Sequence, residues 1–433
     1  MTLRWKTTRA LLVLAACTLP LNADSITLVG TGSIPGDATD LSGLTGDVCS
    51  SVDNTQCAPH NRLGAFGSGL AYTGYANTYI AVNDRGYFDG RTTADYKDRF
   101  QVLRITVDPA TGVVKPALLD TRLFTNEADA AFVGQSGAYN TVNPLNALRF
   151  DPEGVRVATD GSLYVSDEYG PYIFHFDRDG KLIERISIPA KFLIDNPSAT
   201  GVNELPPGNT SGRQSNRGME GLAISPDGKT LFGIMQNALI QDGALNASNS
   251  RRGINNRILK IDLATGATAE YVYQLYNRSN GVNEMVAIND HEFLLVERDG
   301  NPGAAAAFKK IVWMDITGAT DVSNDVLPQT GQTVVSGDHA GQDFIPAAKS
   351  VFIDLLDPAF GLSGASFPEK IEGLAWGPDL DNGNHLLLVT SDNDLVATPT
   401  LIWAFEVPAG LVPGVEAQKI QPAWAPGQVK KGK

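Results

Sequence analysis

The sequence predicts an all-β protein, a β-propeller of four-stranded blades whose ring is closed by the N-terminal strand. Three observations lead there. An acidic cassette recurs five times along the chain. Each copy runs on into a third and often a fourth apolar segment, with turn residues between them. The N-terminal segment offers the one strand that the last repeat lacks. Repetition of a single four-strand unit with acids at matching corners marks radial symmetry, which a β-sandwich does not show.

The cassettes open at Ser68-Gly69-Leu70, Glu153-Gly154-Val155, Glu220-Gly221-Leu222, Glu284-Met285-Val286 and Glu372-Gly373-Leu374. Their returning arms close at Asp84-Arg85, Asp167-Glu168, Gln236-Asn237, Glu297-Arg298 and Asp392-Asn393-Asp394. A strand, a tight turn and an antiparallel return bring both ends of such a hairpin to one edge of the sheet. Third strands follow at Val102–Asp108, Tyr172–Asp177, Arg257–Asp262, Lys310–Asp315 and Leu401–Glu406. The turns Pro109-Ala110-Thr111-Gly112, Arg178-Asp179-Gly180 and Ala264-Thr265-Gly266 supply the side-chain bond and positive φ of a hairpin. Fourth strands read as Val113–Leu119, Leu182–Ile188 and Thr268–Leu275. Pairing the fifth repeat with Ser25–Val29 would close the ring and leave no open edge. Five blades are counted, and a sixth is left open around Asp40–Leu44 or within residues 317–356.

The long segments, residues 86–100, 120–149, 189–217, 238–256 and 317–371, are expected to gather over the face that carries the acidic clusters. Long loops over convergent charged groups are the usual layout of a binding or catalytic face. Among the histidines only His339, in the last of these segments, is positioned as an acid or base. No HExxH spacing occurs, and the closest approach to a nucleophile elbow, Gly361-Leu362-Ser363-Gly364-Ala365, lacks the final glycine.

The 44 glycines and 24 prolines among 433 residues suit a turn-dense fold, and no Pro/Ser-rich linker or charge block divides residues 24–433, which read as one domain. Net charge is −14. Such a surface repels nucleic acid and anionic lipid, and a monomer with a small-molecule partner is expected. Residues 1–23 read as an export signal. Arg4, Lys6 and Arg9 precede the apolar stretch Ala10–Ala16, which is too short to span a membrane. Two processing routes are open: cleavage after Ala23, giving a periplasmic or secreted protein, or lipidation at Cys17 in the lipobox Leu14-Ala15-Ala16-Cys17, giving a lipoprotein. No later segment reaches transmembrane length. In an oxidising compartment Cys49 and Cys57 are expected to form a local disulfide in a loop with Asp47, Ser50, Asp53 and Asn54.

The mouth combines oxygen ligands with cations. Glu153, Glu220, Glu284 and Glu372 at the strand starts are the candidate ligands of a metal. Oxygen donors without Cys or His favour a hard cation, Ca²⁺ before Mg²⁺. Arg85, Arg217, Arg298 and Lys370 are the candidate groups for an anionic substrate, above all a phosphate ester. Asp84, Glu168 and Glu297 are the candidate acid–base residues, with Glu168 or Glu297 taking the proton of an attacking water.

Several stretches carry a family resemblance. They are Ala81-Val82-Asn83-Asp84-Arg85-Gly86, Phe150-Asp151-Pro152-Glu153-Gly154, Ser166-Asp167-Glu168-Tyr169-Gly170-Pro171 running to His175-Phe176-Asp177, Asn216-Arg217-Gly218-Met219-Glu220-Gly221-Leu222-Ala223 with the turn Ser225-Pro226-Asp227-Gly228, and Ile371-Glu372-Gly373-Leu374-Ala375-Trp376. Together they resemble the secreted phytase-like family, labelled as having esterase-like activity, over nearly the whole mature chain. The resemblance implies an exported propeller of the broad phytase and lactonase type, with calcium as its expected ion, that acts on ester or phosphoester bonds. The expectation is therefore a metal-assisted hydrolase working at the mouth. Its rivals are a non-catalytic, calcium-stabilised extracytoplasmic binding module and a sugar-lactone hydrolase.

Overall fold

The computed structural model describes residues 25–49, 57–86 and 96–424. The export segment with Cys17, and Ser50, Asp53 and Asn54 of the cysteine loop, lie outside the described residues. Apart from seven short 3₁₀ turns, the regular structure is strand. β1 (Thr27–Ile34) is followed by a small hairpin, β2 (Asp47–Cys49) and β3 (Cys57–Pro59), across which Cys49 and Cys57 are disulfide-bonded.

Five four-stranded antiparallel sheets follow. The first is β4 (Gly69–Tyr72), β5 (Thr78–Val82), β6 (Arg99–Asp108) and β7 (Val113–Leu123). The second is β8 (Pro152–Val157), β9 (Leu163–Asp167), β10 (Tyr172–Phe176) and β11 (Leu182–Ile186). The third is β12 (Met219–Ile224), β13 (Thr230–Met235), β14 (Asn255–Asp262) and β15 (Thr268–Gln274). The fourth is β16 (Gly281–Ala287), β17 (Glu292–Arg298), β18 (Lys309–Asp315) and β19 (Ala348–Asp354). The fifth, β20 (Lys370–Trp376), β21 (His385–Asp392) and β22 (Thr400–Val407), is completed by β1, which pairs antiparallel with β22 from Thr27↔Glu406 to Ile34↔Thr400. The ring closes as the sequence indicates.

The core is divided among the blade interfaces. Each of the five larger apolar clusters joins two neighbouring blades; between the first and second it gathers Phe100, Phe124, Phe132, Phe150, Phe174 and Phe176. Because a blade is covered on both faces, its middle strands are apolar at successive positions, as in Leu231-Phe232-Gly233-Ile234-Met235, all buried. The innermost strands β4, β8, β12, β16 and β20 stand side by side around the axis.

Two expectations change. Among the described residues there is no sixth blade, because Ala348–Asp354, inside the supposed insertion 317–371, is the fourth strand of the fourth blade. Residues 317–347 leave β18 at the end away from the mouth and run along the outer strand of the third blade. There Val322 N donates to Glu270 O (2.8 Å) and Ala347 N to Val272 O (2.8 Å), while Val322, Leu327, Val334 and Phe344 bury Val272. The insertion covers an edge strand whose backbone groups and apolar side chains need partners. His339 goes with it, its Nδ1 2.7 Å from Asp325 Oδ2, and is not a mouth residue.

Closure brings β1 close to the first blade. A Cβ at Gly30 would stand 2.0 Å from the carbonyl oxygen of Gly112, a backbone atom that cannot swing aside. Gly30→Val is therefore expected to destabilise by about 1–3 kcal/mol, as overpacking does. It should lower the urea midpoint at unchanged slope. An unaltered midpoint would mean that the closure tolerates a wider gap.

Candidate active site at the mouth of the propeller

Crowding at the axis shapes the site. A Cβ on Gly69 would meet Glu153 O at 2.2 Å, and one on Gly154 would meet Leu222 N at 2.7 Å and Glu220 O at 2.8 Å. The glycine of each Glu-Gly pair is thus where one inner strand touches the backbone of the next. The acidic residue beside it sits in a β-bulge. Register shifts fall between Pro152 and Val155, Met219 and Gly221, Val282 and Glu284, and Ile371 and Leu374. A bulge re-aims the side chain of the extra residue, and in the second, third and fifth blades that residue is Glu153, Glu220 or Glu372.

In the fourth blade the bulge hands the mouth position to Asn283, whose Nδ2 donates to Glu372 Oε1 (3.3 Å). Glu284 is directed beneath the mouth. Its Oε1 accepts from Leu222 N (3.1 Å) and Met285 N (2.9 Å) and lies 3.0 Å from Arg156 Nη2. Arg156 is buried on the axis, where it donates to the carbonyls of Leu70 (2.8 Å), Met285 (2.6 Å) and Val155, and to Leu374 at 3.5 Å. One guanidinium thus links the inner strands of four blades. Burial pushes Glu284 up to about 8 despite Arg156, and lowers Arg156 despite Glu284.

The mouth is a cavity of about 510 Å³ lined by Asp84, Arg85, Arg217, Gln236, Arg251, Asn283, Arg298, Glu369, Lys370 and Asp394, among others. The buried carboxylates form a layer immediately behind this lining. Arg85 Nη1 contacts Asp151 Oδ2 and Glu168 Oε2, the latter at 3.1 Å. Gln236 Nε2 donates to Glu220 Oε1, and Arg298 Nη2 donates to Glu372 Oε1 at 2.6 Å. Lys370 Nζ stands among Asp84 (3.7 Å), Asp392 (3.3 Å) and Asp394. Burial is the main influence that raises the Asp84 carboxyl, against Lys370 and Arg85.

One group is under-neutralised. Asp151, Glu153 and Glu168 offer carboxylate oxygens within 4.8 Å of one another. Burial first, then Glu220, Asp151, Glu168 and Glu372, push Glu153 well above its ordinary range. Glu168 Oε1 is buried without a hydrogen-bond partner. Like charges this close must share protons or a cation, and a buried carboxylate oxygen without a donor is what an oxygen-liganded divalent ion would satisfy. The residues present fit such an ion.

Of the four glutamates read as ligands, Glu153 belongs to this group and Glu220 adjoins it, close enough to Glu168 that the two carboxylates oppose each other's ionisation. Glu372 is taken by Arg298, and Glu284 by Arg156. Glu297 lies behind the lining, where it accepts from Tyr273 Oη (2.6 Å), Tyr276 N (2.9 Å) and Asn280 Nδ2 (2.6 Å). Arg217 and Arg251 have no carboxylate partner among the described residues. Arg217 donates to Gln236 Oε1, and Arg251 Nη1 to Asn237 Oδ1 (3.3 Å). Burial, with Arg217 and Arg298 close by, lowers Arg251 to about 10.

Asp151, Arg251, Arg156 and Asn283 were not singled out from the sequence. Asp151 had a signal, since residues i and i+2 of a strand share a side and Asp151 precedes Glu153 by two. Arg251 lies in the loop between β13 and β14, far from any cassette, and had none.

Residues 61–395 match the family described as phytase-like, esterase-like activity of phytase, so the chain belongs to that family. A protein of the fungus Arthroderma benhamiae, described as an uncharacterized secreted protein, is 27% identical over 459 residues, spanning 85% of this chain and 86% of its own length. Among solved structures, the calcium-binding protein regucalcin of Agrobacterium tumefaciens is 12% identical over 82% of this chain and 94% of its own, with a TM-score of 0.35. A gluconolactonase of Xanthomonas campestris is 11% identical over 87% and 98%, with a TM-score of 0.32. Likeness at those scores carries no chemistry across.

Removing Arg156 leaves four buried inner-strand carbonyls and Glu284 Oε1 without their donor. Arg156→Ala is accordingly expected to destabilise by about 3–5 kcal/mol. Combined with Glu284→Ala it should cost less than the two single losses added together, as read by denaturant unfolding. Glu284 also predicts a pH trend. The folded protein holds its proton more tightly than the unfolded chain, so the contribution is full below the unfolded pKa of about 4.5 and is lost as pH rises through about 8. The melting temperature of the wild type, relative to Glu284→Gln, should fall across that window. A flat difference curve would contradict it.

Proposed function

We propose that this phytase-like family member is an exported, divalent-cation-assisted hydrolase of anionic esters, phosphoesters foremost, working at the mouth of the propeller. The observation that carries the reading is a juxtaposition in one cavity. A buried, under-neutralised carboxylate group, Asp151, Glu153 and Glu168, stands behind a lining that holds two guanidiniums, Arg217 and Arg251, with no carboxylate of their own among the described residues. The first arrangement suits a hard cation, Ca²⁺ in first place, and the second an anion. Export is supported by the charged and apolar pattern of residues 1–23 and by the secreted relative.

Asp151, Glu153 and Glu168 would hold the cation, with Arg85 fixing the orientation of Asp151 and Glu168. When bound, the cation supplies Lewis-acid polarisation of the ester oxygen and orients water. Arg217 and Arg251, with Arg298 beside them, bind the anionic group and present its central atom to the carboxylate layer. Glu220 is the general base. Burial first, then the neighbouring Glu168 and Glu372, raise its carboxyl well above the ordinary range, the direction that strengthens a carboxylate base. Gln236 fixes one of its oxygens from the cavity wall. Glu297, held by three donors, keeps the corner of the fourth blade in place, and Asp84 and Lys370 set the opposite wall.

Purified mature protein should melt at higher temperature with Ca²⁺ than with chelator, by the equivalent of about 2.7 kcal/mol at a hundredfold excess over Kd. Glu153→Gln should remove most of that response. Glu220→Gln should retain it while lowering kcat on aryl phosphates and aryl esters by about 10²- to 10⁴-fold. Arg251→Ala should lower kcat/KM for anionic substrates by about ten- to a hundredfold, as the loss of a charged hydrogen bond does, and spare neutral esters. Ca²⁺ stabilisation and anion binding without turnover of phosphate, carboxylate ester or lactone would instead make the protein a binding module.

A further inference from the structure

Beside the mouth lies a second cavity, of about 400 Å³, which nothing above has used. It is built by the segment that leads from β11 to β12, on the same face as the mouth, and the two cavities share Asn216 in their walls. Its lining includes Tyr169, Ala199, Val202, Leu205 and Ser215.

The cavity contrasts with the mouth in charge. Glu204, its only ionisable carboxylate, is buried and held at 3.0 Å by Arg149 and 2.7 Å by Arg213, and it also accepts from Ser198 N at 2.9 Å. Most polar groups of the wall are already committed. Tyr169 Oη donates to Gly134 O (2.9 Å) and Ser136 Oγ to Ala199 O (2.9 Å), while Ser198 Oγ accepts from Thr200 N (3.1 Å). What remains toward the space is the ring of Tyr169, the methyl of Ala199, the side chain of Leu205 and Val202, which is 66% exposed, together with the side chains of Thr200, Ser215 and Asn216. An apolar side chain that exposed, at the edge of a concavity next to a cluster of arginines, gains by being covered.

We infer that this groove is the subsite for the uncharged part of the substrate. The protein would then prefer anionic esters with one charged head and an apolar aryl or acyl body over small or multiply charged ones. The head occupies the arginine-lined mouth, and the body passes Asn216 and covers Leu205, Tyr169 and Val202. This rests on reading the mouth as an anion site. It adds the shape and polarity of the group that the anion is joined to, and it makes Val202 a specificity-determining residue rather than a catalytic one.

Phosphonates test the groove separately from catalysis, because their P–C bond is not hydrolysed. The affinities of 2-naphthylphosphonate and methylphosphonate for the mature full chain, with Ca²⁺ present, are to be compared by calorimetry. Burial of the aryl group should favour the naphthyl compound by about tenfold or more. Val202→Asp, at an exposed position that the fold does not depend on, should bring the ratio of the two affinities close to one. A general weakening of the mouth would lower both affinities and leave their ratio intact. A wild-type ratio near one, a ratio unaltered by Val202→Asp, or no binding of either compound would overturn the inference. Failure of the hydrolase reading shows elsewhere, as absence of turnover of 2-naphthyl phosphate by a protein that still prefers the naphthyl ligand.

Discussion

The convergence of five inner strands on one axis is the constraint from which the rest of the site follows. Strand backbones approach so closely there that glycine is required at Gly69 and Gly154, and in the second, third and fifth blades the ladders yield by bulging at Glu153, Glu220 and Glu372. Below the bulges the inner strands present carbonyls to the axis. Arg156 answers those of Leu70, Val155, Met285 and Leu374 from a single guanidinium, balanced by Glu284. Above the bulges the same geometry forces carboxylates together in a small buried volume. Closure of the ring and formation of the acidic layer are one event seen from two sides of the bulge.

Burying carboxylates at this density has an electrostatic cost that the chain meets unevenly. Glu372 has Arg298, Glu284 has Arg156, and Lys370 is shared by Asp84, Asp392 and Asp394. On the side of the second blade, Arg85 alone serves Asp151 and Glu168, with Glu153 beside them. Meanwhile Arg217 and Arg251 face the cavity without a carboxylate among the described residues. Pairing them with the surplus acids would have silenced both groups. Their separation is what the proposed cation and anion sites rest on.

The outer parts of the molecule follow a different logic. Blade interfaces carry the apolar core, so edges and loops are free to vary in length. Residues 317–347 spend that freedom on covering β15, whereas the segment between β11 and β12 spends it on a neutral groove beside the mouth. Long insertions in one propeller thus serve packing in one place and, in the proposal made above, recognition in another.

The blades were legible because strand alternation, turn residues and acidic corners repeat within short windows. The strand of the N-terminus could be matched to the incomplete fifth repeat by counting. The acidic strand starts were legible for the same reason, as was the proximity of Arg85, Arg298 and Lys370 to the mouth. Partner choice was not legible. Glu153, Glu220, Glu284 and Glu372 look equivalent in sequence, yet a shift of the bulge by one residue in the fourth blade turns Glu284 under the mouth and puts Asn283 in its place. Arg251 reaches the cavity from a loop with no periodicity to mark it, and the strand Ala348–Asp354 was hidden behind an insertion that breaks the repeat. Sequence by itself determined the propeller, its closure and the acidic strand starts at Glu153, Glu220 and Glu372, because those depend on local period and order along the chain. Which carboxylate meets a cation and which is left without one was decided only by the tertiary structure, because side chains from different blades meet at distances that no spacing along the chain encodes.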